Sequence, residues 1–306
     1  KDALNAHAKG NVKAFLQSQG VELVHNNSMF VGIGMECAKE LRIPYIAHIR
    51  DYVEEDHGLK LEHPASQSKL VRSASAAIAV SKTLASAAEK KYGAPAGGIV
   101  PLYDGVDVDR YDIAPDARKA PLSGDTIEVL LAGRISPGKG QLDAAKAVAK
   151  VNEGSPRPFH LTIVGSVGVP SYMEELEAFV STLPEGQVSI LPFVDDLKAL
   201  RAQTDIALVC SSSEAMGRVT IESLLAGCLV IGANGGATPE LLAEGRGFLY
   251  EPGNIEALPG ALRQVAEWDP AKVRAVVEQG QAFSKKEFGL EQYAEKVLQL
   301  YRELVS

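Results

Sequence analysis

The pattern of apolar and polar positions predicts alternating helices and buried strands in the first part of the chain. Apolar residues recur at helical spacing over residues 3–18, and a short extended run at residues 21–24 precedes a polar loop. Two further pairs follow: helix 34–41 with strand 44–47, and helix 69–75 with strand 76–80. Ser81 is a suitable cap for a helix over 82–91. Successive units of this kind predict a parallel sheet.

A second alternation of strands and helices begins after residues 114–125, a polar segment that contains proline and glycine. Its predicted strands are 126–131, 160–164, 188–191, 206–210 and 229–231. Its predicted helices are 141–152, 171–182, 195–203 and 218–226. Residues 269–305 are nearly all helical in pattern. This order predicts a second doubly wound α/β sheet, in which ligands bind beyond the carboxyl ends of the strands.

The polar segment sets the predicted domain boundary. It gives an N-terminal domain over 1–120 and a C-terminal domain over 121–287, with a final helix over 288–306 completing the first domain. A length of 306 residues agrees with two domains of about 100–200 residues each. Because the sequence opens at Lys1, inside a predicted amphipathic helix, we expect further residues upstream.

The amino-acid composition limits the kinds of molecule that the protein is expected to bind. Hydrophobic residues make up 46% of the chain and charged residues 23%, as in ordinary globular proteins. The formal net charge of -8 and the lack of a long basic run argue against nucleic acid. Neither a membrane-spanning run nor a signal peptide is visible, so we predict a cytoplasmic protein. A local basic patch would still permit peripheral contact with a membrane.

The first candidate for chemistry is a pair of carboxylates, Glu214 and Glu222, on either side of a predicted strand-to-helix turn. If the helix begins near Gly217, its first amides are unpaired and suit a diphosphate. These amides belong to Gly217, Arg218, Val219 and Thr220. Glu222 would then accept hydrogen bonds from ribose hydroxyls, and Glu214 would reach an attached sugar. Alternatively, Glu214 is an exposed loop acid and Glu222 complements the helix dipole.

The second candidate follows the first strand of the C-terminal domain, at residues 133–140. The run resembles a P-loop, but a P-loop needs Ser or Thr after its lysine, and Gly140 stands there. Without a P-loop, the chemistry of this run lies in two cations that follow Gly133. The guanidinium of Arg134 and the ammonium of Lys139 suit the oxygens of a diphosphate leaving group. The alternative is two solvated cations beside a turn.

Together these segments resemble the retaining family 4 glycosyltransferases of GT-B fold. The resemblance rests on Gly-Arg-x-Ser-Pro-x-Lys-Gly at 133–140 and on two glutamates separated by seven residues, Glu214 and Glu222. Shorter similarities lie at residues 80–82, 104–107, 235–240 and 247–250, and the likeness runs from about residue 20 to the end. It implies two Rossmann-like domains facing a cleft, the first lacking two to three helix and strand units of about 30 residues each.

The resemblance also implies roles for individual residues. Arg134 and Lys139 would bind the donor diphosphate, Glu214 the donor sugar and Glu222 the ribose. The backbone of Val194 would meet the base, and His48 would line the reaction centre, although a lone histidine is more often structural.

The sequence departs from the family pattern at several positions. Ala215-Met216 replaces Gly-Phe, Asp104 replaces an asparagine, and Leu229 replaces a proline. These changes bear on sugar selectivity more than on phosphate binding.

No metal or cofactor is predicted. Asp107 and Asp109 form an Asp-x-Asp pattern, but they lie in the segment that closes the first domain, while the Gly133 region already supplies cationic charge. Cys37, Cys210 and Cys228 lack a Cys-x-x-Cys spacing and are predicted to be buried free thiols. The six histidines lack metal-ligand spacing.

The sequence therefore predicts a retaining, metal-independent hexosyltransferase that moves a sugar from a nucleoside-diphosphate sugar, such as a UDP- or GDP-sugar, to a hydroxyl acceptor. The rival interpretations are a sugar-nucleotide epimerase or hydrolase of the same fold and a catalytically inert nucleotide-binding module.

Overall fold

The computed structural model describes residues 2–53 and 64–306, so Lys1 lies outside the described part. The chain divides into two compact units. The first contains the residues up to Gly105 together with Leu290–Ser306, and the second contains Val106–Gly289. Within the described residues, no helix combines the length and apolarity needed to cross a membrane.

The first unit is built on a parallel sheet with the strand order β1-β2-β3-β4. Its strands are β1 (Val24–Asn26), β2 (Tyr45–Ile49), β3 (Ala76–Ala79) and β4 (Ile99–Pro101). Its helices are α1 (Asp2–Ser18), α2 (Ile33–Leu41), α3 (Pro64–Arg72), α4 (Lys82–Tyr92) and α13 (Leu290–Val305). Buried Ile46, Ile78 and Leu102 pack against the apolar side of α13, including Tyr293 and Val297. Helix α13 therefore covers one face of this sheet.

Strands β1 and β2 differ in extent from the sequence prediction, and strand β4 was not predicted. Strand β1 was expected at residues 21–24 but runs from Val24 to Asn26, because its register is set by pairing with β2, where Val24 lies beside Tyr45. Strand β2 extends beyond the predicted residue 47 to Ile49 and is buried throughout. Both strands contain polar side chains, so the apolar periodicity used for the prediction did not mark these residues as extended.

The second unit contains a six-stranded parallel sheet with the order β10-β9-β8-β5-β6-β7. Its strands are β5 (Ile127–Ala132), β6 (Phe159–Val164), β7 (Val188–Leu191), β8 (Ile206–Val209), β9 (Leu229–Ala233) and β10 (Phe248–Tyr250). Its helices are α5 (Val108–Tyr111), α6 (Gln141–Asn152), α7 (Pro170–Val180), α8 (Lys198–Gln203), α9 (Arg218–Leu225), α10 (Thr238–Leu242), α11 (Ala257–Ala266) and α12 (Pro270–Glu287). The chain reverses direction across the sheet between β5 and β8, which is the position where doubly wound sheets bind ligands.

The core of the second unit lies on both faces of its sheet. One cluster joins strand residues such as Val129 and Leu161 to Val148 of α6, Leu176 of α7 and Leu262 of α11. A second cluster joins β8 and β9 to α9 on the other face. Apolar residues fill the strands because both faces are covered.

The division between the units falls before the predicted boundary at residue 120. The carboxylate of Asp205, fully buried at the start of β8, accepts hydrogen bonds from Lys119 Nζ at 2.8 Å and from the Leu122 amide at 2.7 Å. Ile113 is buried in the second core cluster. The segment is polar and contains proline, as the sequence indicated, but these long-range contacts fasten it to the second unit.

Candidate functional site

The candidate site lies in the second unit, at the edge of the sheet formed by the carboxyl ends of its strands. Three connections carry the residues singled out from the sequence: 133–140 after β5, 192–197 after β7 and 210–217 after β8. Because the strands are parallel, their carboxyl ends share one edge. We call this edge the carboxyl edge of the second sheet.

Helix α9 presents an unpaired N-terminus at this edge. Gly217 precedes the helix with a φ of 79°, a left-handed conformation that favours glycine, and no side chain caps the helix. Among the described residues, none accepts a hydrogen bond from the amides of Arg218, Val219 or Thr220, and the first amide paired within the helix is that of Ile221, with the Gly217 carbonyl. Free amides and a positive dipole end form a ready anion site.

Lys139 and Glu214 come together at the carboxyl edge. Lys139 ends a short 3-10 turn, Pro137–Lys139, and its Nζ donates to Oε1 of Glu214 at 2.5 Å. The lysine side chain is 32% exposed and the glutamate side chain 17%. The sequence placed these two residues on different parts of one ligand, and in the structure they bind each other.

Arg134 is exposed beside the next connection. Its aliphatic stem lies against Gly168, where an added Cβ would come within 2.7 Å of the arginine Cγ. Its guanidinium has no hydrogen bond or ion pair to any residue that the structure describes, while its carbonyl accepts from Gln141. Gly133, just before it, continues the β5 ladder by donating to the Val164 carbonyl. Arg134 is thus a positive charge that an incoming anion can use.

A glycine turn fixes the backbone of Glu214. The Ala237 amide donates to the Glu214 carbonyl at 2.7 Å, and Gly236 adopts a φ of 55°. A Cβ at Gly236 would lie 2.3 Å from the Glu214 nitrogen, and one at Gly235 would lie 2.1 Å from the Ser212 carbonyl oxygen. The close approach therefore requires glycine at both positions.

Glu222 lies on α9 beside two arginines. Its Oε2 accepts from Nη2 of the buried Arg201 at 2.7 Å, and its Oε1 is 3.9 Å from Nη2 of the exposed Arg218. The glutamate side chain is 14% exposed. Sequence reasoning missed Arg201, because a lone arginine in a short amphipathic helix carries no signal of burial.

Val194 lies in the connection from β7 to α8 and is 38% exposed. Its neighbour Phe193 is 65% exposed, so this connection presents an apolar surface at the carboxyl edge. An apolar surface of this kind suits a nucleobase.

His48 lies in the first unit and is fully buried within β2. Its Nδ1 is 3.1 Å from Nε2 of His25, whose Nδ1 is 2.6 Å from the Tyr301 hydroxyl of α13. Burial, with smaller contributions from Arg50 and His25, lowers the pKa of His48 to about 3. Burial and then Arg50 also lower the pKa of His25. Both imidazoles are consequently neutral at pH 7, and Nε2 of His48 has no partner among the described residues.

The first acid of the Asp-x-Asp pattern, Asp107, serves as a helix cap, and Asp109 lies in the first turn of the same helix. Asp107 accepts a hydrogen bond from the Arg110 amide at the start of α5. Within residues 2–53 and 64–306, no three His, Cys, Asp or Glu side chains are grouped as a metal site would need. The three cysteines are buried and free, as predicted.

Two Rossmann-like units with parallel sheets, the second with an open helix N-terminus at its carboxyl edge, put the chain in the GT-B class of folds. Solved structures share this fold: a glycosyltransferase from Rickettsia africae, 19% identical, has a TM-score of 0.82 over 100% of this chain and 83% of its own. Anabaena HepE in complex with UDP and glucose, 24% identical, has a TM-score of 0.79 over 95% of this chain and 81% of its own.

The family model of glycosyl transferases group 1 matches residues 112–283, and the chain belongs to that family. The D-inositol 3-phosphate glycosyltransferase of Streptomyces bingchenggensis is 25% identical to it, over 92% of this chain and 66% of the relative. The chain thus spans less than two thirds of the length of the first curated relatives that it matches.

Proposed function

We propose that the protein transfers a sugar from a nucleoside-diphosphate sugar to a hydroxyl acceptor, with retention of anomeric configuration and without a metal ion. The observation that carries this proposal is the contact of Lys139 with Glu214 at the carboxyl edge of the second sheet, the edge at which the N-terminus of α9 is also open. Family membership and the UDP and glucose bound to HepE support it. The acceptor, a role in polysaccharide or glycoconjugate synthesis and a cytoplasmic location stay predictions.

In the proposed reaction, the bond between the sugar's anomeric carbon and the phosphate oxygen breaks, and a bond from that carbon to the acceptor oxygen forms on the same face. The acceptor proton passes to an oxygen of the leaving diphosphate. Negative charge that develops on the diphosphate is stabilised by Lys139, Arg134 and the α9 amides. Glu214 holds the sugar, Glu222 the ribose and Val194 the base, and a role for His48 in the reaction stays a prediction.

Lys139→Ala tests this proposal in the full chain. We expect turnover to fall about a hundredfold or more at saturating donor, because a charge on the leaving group loses its partner. The matched control is Lys150→Ala, which removes an exposed lysine paired with Glu256 in the same unit. The assay measures transfer from UDP-, GDP- and ADP-sugars to an acceptor panel, with circular dichroism confirming the fold. Full activity in Lys139→Ala would refute the role.

The same assay separates the rival functions. Labelled donor incubated without acceptor yields free sugar or an epimer if the protein is a hydrolase or epimerase. Binding of nucleoside diphosphate in calorimetry, without any product, would instead identify an inert module. The anomeric configuration of the product, read by NMR, tests retention, and full activity after treatment with a chelator tests metal independence.

A further inference from the structure

A buried arginine contacts the carboxylate to which the proposed function assigns the ribose. Arg201 lies in α8, is 2% exposed, and donates from Nη2 to Oε2 of Glu222 at 2.7 Å. Glu222 lies one turn into α9, the helix whose first amides are free. The contact thus joins the interior of the second unit to its carboxyl edge.

The arginine is fixed from several sides. Its guanidinium carbon is 5.5 Å from the ring centroid of Tyr111 in α5, a distance at which a cation is attracted to the ring. Its carbonyl accepts from the Thr204 amide at 3.1 Å and from Sγ of Cys228 at 3.7 Å. With both its backbone and its head group held, Arg201 has little freedom to follow Glu222 if that side chain moves.

A contribution to the stability of the fold does not by itself explain why Arg201 is buried in an ion pair. A buried ion pair rarely stabilises a fold more than apolar residues of the same volume would, because both charges lose their hydration. Nε of Arg201 is also buried without a hydrogen-bond partner among the described residues, which is unfavourable. A role in orienting the Glu222 carboxylate would explain why an arginine is buried here despite this unfavourable desolvation.

The contact determines which oxygen of Glu222 is available. Oε2 accepts a hydrogen bond from Arg201, whereas the one cation beside Oε1 among the described residues is the exposed Arg218, at 3.9 Å, beyond hydrogen-bonding distance. We infer that Arg201 is a positioning residue that turns Oε1 of Glu222 toward the ribose hydroxyls of a nucleotide donor. The inference rests on the proposed function, since it assumes that Glu222 binds ribose.

The test measures selectivity for ribose hydroxyls by calorimetry on the full chain. The probe is whichever of UDP, GDP and ADP binds the unaltered protein, compared with its dideoxyribose analogue. We expect the ribose form to bind about tenfold or more tightly, because hydrogen bonds to a charged group are strong. Glu222→Gln should remove most of this ratio. Arg201→Met should lower it several-fold while the dideoxy form keeps its affinity, and Arg201→Met combined with Glu222→Gln should match Glu222→Gln alone.

The matched control is Arg246→Met, which removes another buried arginine of the second unit that pairs with a glutamate, Glu244, at 2.7 Å. It should leave the ratio unchanged. If Arg201→Met does not fold, Tyr111→Leu takes its place, because it keeps both charges and removes the ring beside the guanidinium; it should lower the ratio.

Each adverse result is distinct. A folded Arg201→Met, or Tyr111→Leu in its place, with the unaltered ratio would overturn the inference and leave the proposed function intact. If the variant lost affinity equally for the ribose nucleotide and its dideoxyribose analogue, the role of Arg201 would be merely structural, and the inference would be overturned as well. A ratio near one in the unaltered protein, or one that persists in Glu222→Gln, would remove the ribose role of Glu222 itself.

Discussion

At the scale of single residues, the ion pair between Lys139 and Glu214 is the feature with the clearest consequence. A diphosphate that binds Lys139 would lie beside the carboxylate that accepts from its Nζ at 2.5 Å, and the two anions would compete for one positive charge. The glutamate is therefore a competitor for the lysine before the donor binds. Under the proposed function, a sugar hydroxyl of the donor would bind this carboxylate, so we expect opening of the pair to depend on whether the diphosphate carries a sugar.

Glu214→Gln should consequently tighten the binding of a nucleoside diphosphate that carries no sugar. We expect a gain of up to about fivefold, since partly exposed ion pairs contribute about 1 kcal/mol or less. Transfer of sugar should fall in the same variant. Glu256→Gln, which breaks the surface pair with Lys150, is the control and should change neither quantity. Calorimetry that shows weaker binding in Glu214→Gln would contradict the competition.

Gly236→Ala probes the turn that fixes Glu214. The added Cβ would meet the Glu214 nitrogen at 2.3 Å, so the loop has to shift and sugar transfer should be lost. Gly253→Ala is the control, because Gly253 has a φ of 81° but nothing within 4 Å of the new Cβ. Both variants incur left-handed strain of about 1 kcal/mol. Urea denaturation should show a larger loss of stability in Gly236→Ala, and equal losses with equal activity would count against the clash.

At the scale of elements, polar side chains that are buried or partly buried join two strands to a helix distant in sequence. His25 of β1, His48 of β2 and Tyr301 of α13 form one hydrogen-bonded chain across elements far apart in sequence. The same helix covers the apolar face around Ile46 and Ile78. Packing and polar contacts thus act together to hold α13 on the sheet of the first unit.

This chain predicts acid sensitivity. Between pH 6.5, the ordinary pKa of histidine, and about 3, the pKa of His48 in the fold, the unfolded chain binds more protons than the folded one. The free energy of unfolding should therefore fall as the pH is lowered through this range, and the lowered pKa of His25 adds to the effect. His48→Gln, which cannot titrate, should reduce the slope in urea denaturation measured against pH. An unchanged slope in His48→Gln would contradict the prediction.

At the scale of the whole molecule, the first and last residues of the second unit are in contact with each other. Its two ends meet where the Val106 amide donates to the Phe288 carbonyl at 2.7 Å, and Val106 pairs with Gly289. Val106 and Phe288 are both buried. The core clusters on its six-stranded sheet contain no residue from the described part of the first unit.

Residues 106–289 expressed alone should therefore fold and bind nucleoside diphosphate. We expect one cooperative thermal transition and an affinity close to that of the full chain, because Lys139, Glu214 and Glu222 all lie in this fragment. The fragment carrying Lys139→Ala is the control for specific binding and should bind less tightly. A fragment that melts without cooperativity would show that the two units depend on each other for folding.

The sequence by itself determined the α/β class, the two parallel sheets and the positions of the candidate residues on strand ends and helix starts. Apolar periodicity and turn residues act within about a dozen neighbours, and that is the range in which they are informative. Tertiary structure alone decided the register of β1 against β2, the attachment of residues 106–120 through Asp205, and the contacts of Arg201 with Glu222. Each depends on a partner remote along the chain, which local pattern does not specify.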